Sequence, residues 1–284
     1  MARFIDPLYD TAFKLIFGQE NSKELLLDFL NALLAGEKKI REIRFEDKER
    51  MPFYNGGRKG IYDIACLSEK GEHFIVEMQN VRQDYFCDQA LYYLSQTIAN
   101  QGEKGTEWEF ALKAVYGVFF LNFPLRGKLR TDGMIADRDT HEQISDKMRF
   151  IFIELPFFTK KESECKTNVE QWLYILRNMT TLEKIPFKDR NPVFEKLEQI
   201  TDLASLSKEE RRRYDADIRA YRDRLAQMNT AKREGQREGQ RKGEKIGEKR
   251  ARIEVARNMK ANGMSSETIA RVTGLSLTEI DGIE

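Results

Sequence analysis

The stretch Gly60-Ile61-Tyr62-Asp63-Ile64-Ala65, followed after a short turn by His73-Phe74-Ile75-Val76-Glu77-Met78-Gln79, decides how the rest of the chain is read. In its second half, strand alternation puts Ile75, Glu77 and Gln79 on one face and Phe74, Val76 and Met78 on the other. Two polar side chains thus project together from an otherwise apolar strand. The intervening Glu69-Lys70-Gly71 suits a three-residue hairpin loop with glycine in the left-handed position. That register pairs residues whose numbers sum to 140 and sets Asp63 opposite Glu77. Their Cβ atoms are then expected about 4.5–5.5 Å apart on one face. Two carboxylates held that close repel unless a positive charge lies between them, and Mg2+ is a natural answer. A bound metal would polarise a phosphodiester and lower the pKa of an attacking water. The competing reading is a polar strand edge at which solvent tolerates an acid pair.

Working outward, Leu25, Leu26, Phe29, Leu30, Leu33 and Leu34 recur at helical spacing. Asn21 or Ser22 is placed to cap this helix, Glu24 completes a capping box with Asn21, and Gly36 ends the run. Residues 40–45, 60–67 and 72–80 read as strands. A second amphipathic helix follows over about 85–99, and the apolar runs 114–122 and 150–155 read as buried central strands. Helices are expected at 169–179 and 193–203. The order predicts an α/β fold, a mixed sheet flanked by helices, with a C-terminal helical extension.

Composition narrows the chemistry. The chain has 284 residues, 40% of them hydrophobic, which suffices for a real core. No apolar run reaches the roughly 18–20 residues that span a bilayer, and the first residues lack a secretory pattern, so a cytoplasmic protein is expected. Cys66, Cys87 and Cys165 are scattered without zinc-ribbon spacing. With only His73 and His141, imidazole-based catalysis is disfavoured, and carboxylates with a hard metal are left.

The Asp63 and Glu77-Met78-Gln79 pattern resembles the D…(D/E)-X-K signature of the PD-(D/E)XK phosphodiesterases. Asp6-Pro7, Asp10-Thr11-Ala12-Phe13-Lys14-Leu15-Ile16-Phe17-Gly18, the Leu-rich helix and Tyr92-Tyr93 are similar to the transposase-related, recombination-promoting nuclease (Rpn) branch. The likeness spans about residues 4–160, and the glycine-repeat tail is similar as well. It implies an αβββαβ restriction-endonuclease-like core and Mg2+-dependent endonuclease activity on DNA, with Asp63 and Glu77 as metal ligands. It also implies an extra acid from the first helix, for which Asp10 stands; otherwise Asp10 caps that helix, and Phe13 and Phe17 are core. Gln79 replaces the usual lysine, as in the similar branch; it keeps the capacity to orient water but brings no charge. Lys59 or Lys14 is positioned in sequence to supply the missing cation. Cys87-Asp88-Gln89 lacks the arginine that relatives often carry near Gln89. A catalytically inactive DNA-binding or assembly protein that retains the fold is therefore the alternative.

The charge of +1 hides an asymmetry: residues 208–252 hold 16 Lys/Arg against 9 Asp/Glu. Such a stretch suits a nucleic-acid partner or a solvated helix. Within it Gly235, Gly239, Gly243 and Gly247 recur every four residues. As a helix these form a nearly continuous bare stripe fit for a second helix, at a cost of roughly 1 kcal/mol each; the other reading is a flexible linker. Beyond Gly263, Ser265 and the Ser276/Glu279 capping box start two short helices, the outline of a helix-turn-helix. The last segment is acidic, which favours protein contact over base reading. The expected organisation is a nuclease-like domain at 1–205, a basic connector at 206–250 and a small helical module at 251–284, with a possible homodimer through the C-terminal region.

Overall fold

A computed structural model describes residues 2–47, 49–50, 60–102 and 109–283. By contacts it divides into two compact units, Met1–Ile218 and Arg219–Glu284. The first unit opens with helices α1 (Asp10–Phe17) and α2 (Lys23–Leu33). Strands β1 (Ile43–Phe45), β2 (Glu49–Arg50), β3 (Gly60–Ile61), β4 (Ile64–Ser68) and β5 (His73–Gln79) follow. Then come α3 (Phe86–Ala99), β6 (Val115–Leu121), β7 (Arg130–Ala136) and β8 (Gln143–Glu154). Helices α4 (Asn168–Asn178), α5 (Val193–Thr201), α6 (Lys208–Ala261), α7 (Ser266–Thr273) and α8 (Leu277–Asp281) complete the order.

The main sheet runs β1-β4-β5-β6-β8-β7. β5, β6 and β8 are parallel, and antiparallel strands flank them on both sides. This is the mixed sheet with helices on its faces that the element order predicts. Phe74, Val76, Met78, Val118, Phe120, Ile151 and Ile153 face a core built with α1, α2, α4 and α5. Its centre is aromatic: Phe17, Phe29 and Phe194 surround the fully buried Trp172. Asp28 accepts hydrogen bonds from Trp172 Nε1 at 2.7 Å, and from Asn168 and Asn191 at 2.9 Å each, which ties α2 to the helices beside it. On the opposite face Phe86, Ala90 and Leu94 of α3 pack with Ile75, Val115, Phe119 and Phe152.

Several boundaries differ from the sequence expectation, each for a local reason. Ser22 does precede α2, but its hydroxyl donates to the Leu15 and Gln19 carbonyls, so it ties α2 back to α1 and caps no amide. The segment 60–67 is two strands broken at Tyr62-Asp63. β8 starts at Gln143, seven residues before its apolar run, because its polar first half pairs with β7 at the sheet edge. β7 itself escaped the sequence reading: Arg130-Thr131-Asp132-Gly133 carries no apolar alternation.

In the second unit Ala256, Ile269, Leu275, Ile280 and Ile283 form a small core of their own. Ser265 caps α7 by accepting from the Thr268 amide, and Ser276 with Glu279 forms the capping box of α8. Gly263 and Gly274, with φ of 77° and 71°, close the preceding helices as the sequence suggests. The glycine repeat is helical throughout, and a Cβ at any of its four glycines would meet open space.

Candidate active site

The β4–β5 hairpin has the expected register: Ile64 pairs with Val76 and Leu67 with His73. Ser68 and Gly71 close its loop, with Gly71 at φ 76°. The ladder stops one residue short of Asp63, and side chains take over there. Glu77 Oε1 accepts the Asp63 amide at 3.0 Å, while Asp63 Oδ2 accepts the Met78 amide at 3.0 Å. Each carboxylate thereby satisfies a backbone donor on the other strand, and the two acids are drawn together.

The break in the strand has a packing cause. Tyr62 and Ile64, two residues apart, would share a face in a regular strand. Instead Tyr62 joins the core under α3 and Ile64 joins the core under α1 and α2. Tyr62 is held there by Thr97 Oγ1 at 3.1 Å and by edge-to-face contact with Tyr93. The chain turns over at Asp63, whose carboxylate bonds the Met78 amide of β5.

α1 reaches the same point from the other face. Its buried side is Ala12, Phe13, Ile16 and Phe17, so both phenylalanines are core. Gly18 ends the helix against the start of β4: a Cβ there would lie 3.0 Å from the Lys14 carbonyl oxygen and 3.4 Å from Ile64 Cγ1. This close approach puts Lys14 Nζ 3.5 Å from Asp63 Oδ1 and 2.6 Å from Asp10 Oδ1. Asp10 is the first residue of α1, and no side chain caps that helix from the preceding Tyr9. The Thr11 amide is taken by Asp217 of α6 at 2.8 Å.

Burial sets the electrostatics. Glu77 is 4% exposed, and desolvation, reinforced by the Asp63 charge, holds its carboxyl well above the ordinary range. Desolvation also pushes Asp63 up to about 6, against the pull of the Met78 amide and Lys14. Lys14 is held above its usual value because Asp10 and Asp63 outweigh its own desolvation.

Gln79 ends β5, two residues beyond Glu77, and pairs with Leu121 of β6. Lys59 lies outside the described residues. Neither histidine lies at the acid pair: His73 Nδ1 is bound to Glu46 at 2.8 Å, and His141 sits in the turn between β7 and β8. In the first turns of α3, Gln89 Nε2 donates to Tyr93 at 2.8 Å. The role of Asp217 had no signal in the sequence, since it lies 206 residues from Thr11. The Asp10–Lys14 spacing of four is a signal from which their ion pair on one helix face could have been found.

Among the described residues no three His, Cys, Asp or Glu are arranged to hold a metal ion. The pair Asp63 and Glu77 nevertheless fits a hard divalent cation, because Mg2+ takes one or two carboxylates and fills its shell with water and phosphate oxygens. Both are oxygen donors whose ionised form is costly where it stands, and a cation would offset that cost.

Residues 7–231, most of the chain, match the family model described as PD-(D/E)XK nuclease family transposase. The chain belongs to this family. Residues 249–284 match the C-terminal HTH domain of the Rpn/YhgA-like nuclease family, so the PD-(D/E)XK chain falls in the Rpn branch that its motifs resemble. No curated protein and no solved structure matches it. No helix among the described residues of this PD-(D/E)XK chain is long and apolar enough to cross a membrane.

Proposed function

We propose that the protein is a metal-dependent DNA endonuclease that hydrolyses backbone phosphodiesters, with Asp63 and Glu77 as metal ligands. The observation that supports this most is the pair of bonds at the end of the β4–β5 hairpin, Glu77 accepting from the Asp63 amide and Asp63 from the Met78 amide, in a chain of the PD-(D/E)XK family. A divalent cation bound there supplies Lewis-acid polarisation of the phosphate and a more acidic water. The protein's own part is positional. Asp63 is fixed through the Met78 amide and Glu77 through the Asp63 amide, so neither carboxylate has to be ordered when the cation arrives. Gln79, on the Glu77 side of the strand by alternation, orients the attacking water through its amide. Asp10 is a reserve oxygen donor beside Asp63, engaged by Lys14 in this structure.

The nuclease domain in this reading is about residues 1–205, the basic connector is 206–250, and the helical module 251–284 mediates assembly. Glu279 in the first turn of α8 is committed to Lys249 at 2.7 Å and to the α8 cap, which suits protein contact better than base reading. A Mg2+-dependent plasmid-nicking assay on pure protein tests the activity, with Asp63→Ala as control. Nicking that needs Mg2+ and is lost in the variant is the expected result. Folded wild-type protein that leaves the plasmid intact with Mg2+ or Mn2+ would favour the non-catalytic alternative.

A further inference from the structure

We propose that Lys14 of α1 supplies the fixed positive charge that the strand motif lacks at Gln79, and that its ammonium faces the phosphate of the bound nucleic acid. This rests on the nuclease reading and adds a residue to it. The placement is built from both directions. Gly18 brings the end of α1 against Ile64, and the buried Phe13 and Phe17 fix the helix rotation. Lys14 Nζ consequently touches Asp10 and stands 3.5 Å from Asp63 Oδ1. Its side chain is only 27% exposed, so it is not a freely ranging surface lysine.

Asp10, Asp63 and Glu77, when ionised, carry three negative charges, and Lys14 reduces this to two. A divalent cation then brings the site to neutrality. Without Lys14 the loaded site would keep one net negative charge facing a polyanion, which like-charge repulsion opposes. Gln79 cannot correct this, because an amide orients but brings no charge. Lys14 therefore opposes metal binding somewhat and favours phosphate approach, two effects of opposite sign that separate it from a purely structural ion pair.

The test measures both on full-length protein. Lys14→Met and Lys14→Arg are compared with wild type by calorimetric titration with Mn2+ and by single-turnover plasmid cleavage over a range of protein concentration. For K14M the expected result is several-fold tighter Mn2+ binding with at least tenfold slower cleavage, and K14R recovers most of the rate. Weaker Mn2+ binding in K14M would overturn the proposal, since Lys14 would then merely hold the carboxylates in place. Wild-type cleavage by K14M, or no recovery in folded K14R, would also overturn it. Wild-type protein that neither binds Mn2+ nor cuts would remove the nuclease reading itself, and this role with it.

Discussion

Glu77 sits at 4% exposure with a second carboxylate bonded to its neighbouring amide, an arrangement that costs stability in the metal-free protein. Because its native pKa is raised, the folded state holds the proton to higher pH than the unfolded chain does. Stability from this group is therefore full below the ordinary carboxylate range and is lost as pH rises toward the native value. For Asp63 that window runs from about 3.8 to about 6. Glu77→Gln removes the charge and keeps the shape. We expect it to bring cleavage to background while raising the metal-free thermal midpoint of the first unit by about 2–4 °C at pH 8. Unchanged cleavage in E77Q would remove Glu77 from the ligand set. The gain should shrink on acidification: melts at pH 8, 6 and 4 are expected to bring wild type and variant together at the lowest pH. A constant gap would mean that packing, not ionisation, separates them.

Among the elements, α1 carries the most consequence for its length. Its N-terminus has no cap of its own, and Asp217 of α6 accepts the Thr11 amide while Tyr214 accepts the Asp6 amide at 2.8 Å. Asp217→Ala should cost about 1 kcal/mol, as a lost N-terminal cap does, and should slow cleavage several-fold because α1 carries Asp10 and Lys14. Urea denaturation and single-turnover rates measure the two effects, and full activity in D217A would show that α1 needs no support from α6. How much of this was legible follows from where each constraint lies. The hairpin register was readable because Gly71 and the loop length fix it within a dozen residues. The turn-over at Asp63 was not, since it depends on Tyr62 entering a core made by α3, and Lys14 at Asp63 depends on how tightly Gly18 packs on Ile64. β7 was missed because an exposed polar edge strand carries no hydrophobic period. In α6 the glycines read equally as linker or helix, and local propensity alone does not separate the two.

At the scale of the whole molecule, the two units have separate hydrophobic cores. The smaller one buries few side chains, and Val272 and Leu277 remain 62% and 48% exposed on it. Pairing of two chains through the C-terminal region would cover such surface and place two nuclease domains for paired cuts. Sedimentation of the full-length protein at micromolar concentration should then give a dimer, and a 1–230 truncation a monomer. If both sediment as monomers, the region is a tether and the paired-cut idea falls. The separate cores also bear on how the protein will look to a spectroscopist. Its two tryptophans, Trp108 and Trp172, both precede the second unit in sequence, whereas helix is present in both units. Indole fluorescence is blind to the second unit, while far-ultraviolet dichroism sums over the two. The two signals should not melt together, and the gap between their curves measures how independently the C-terminal helices unfold.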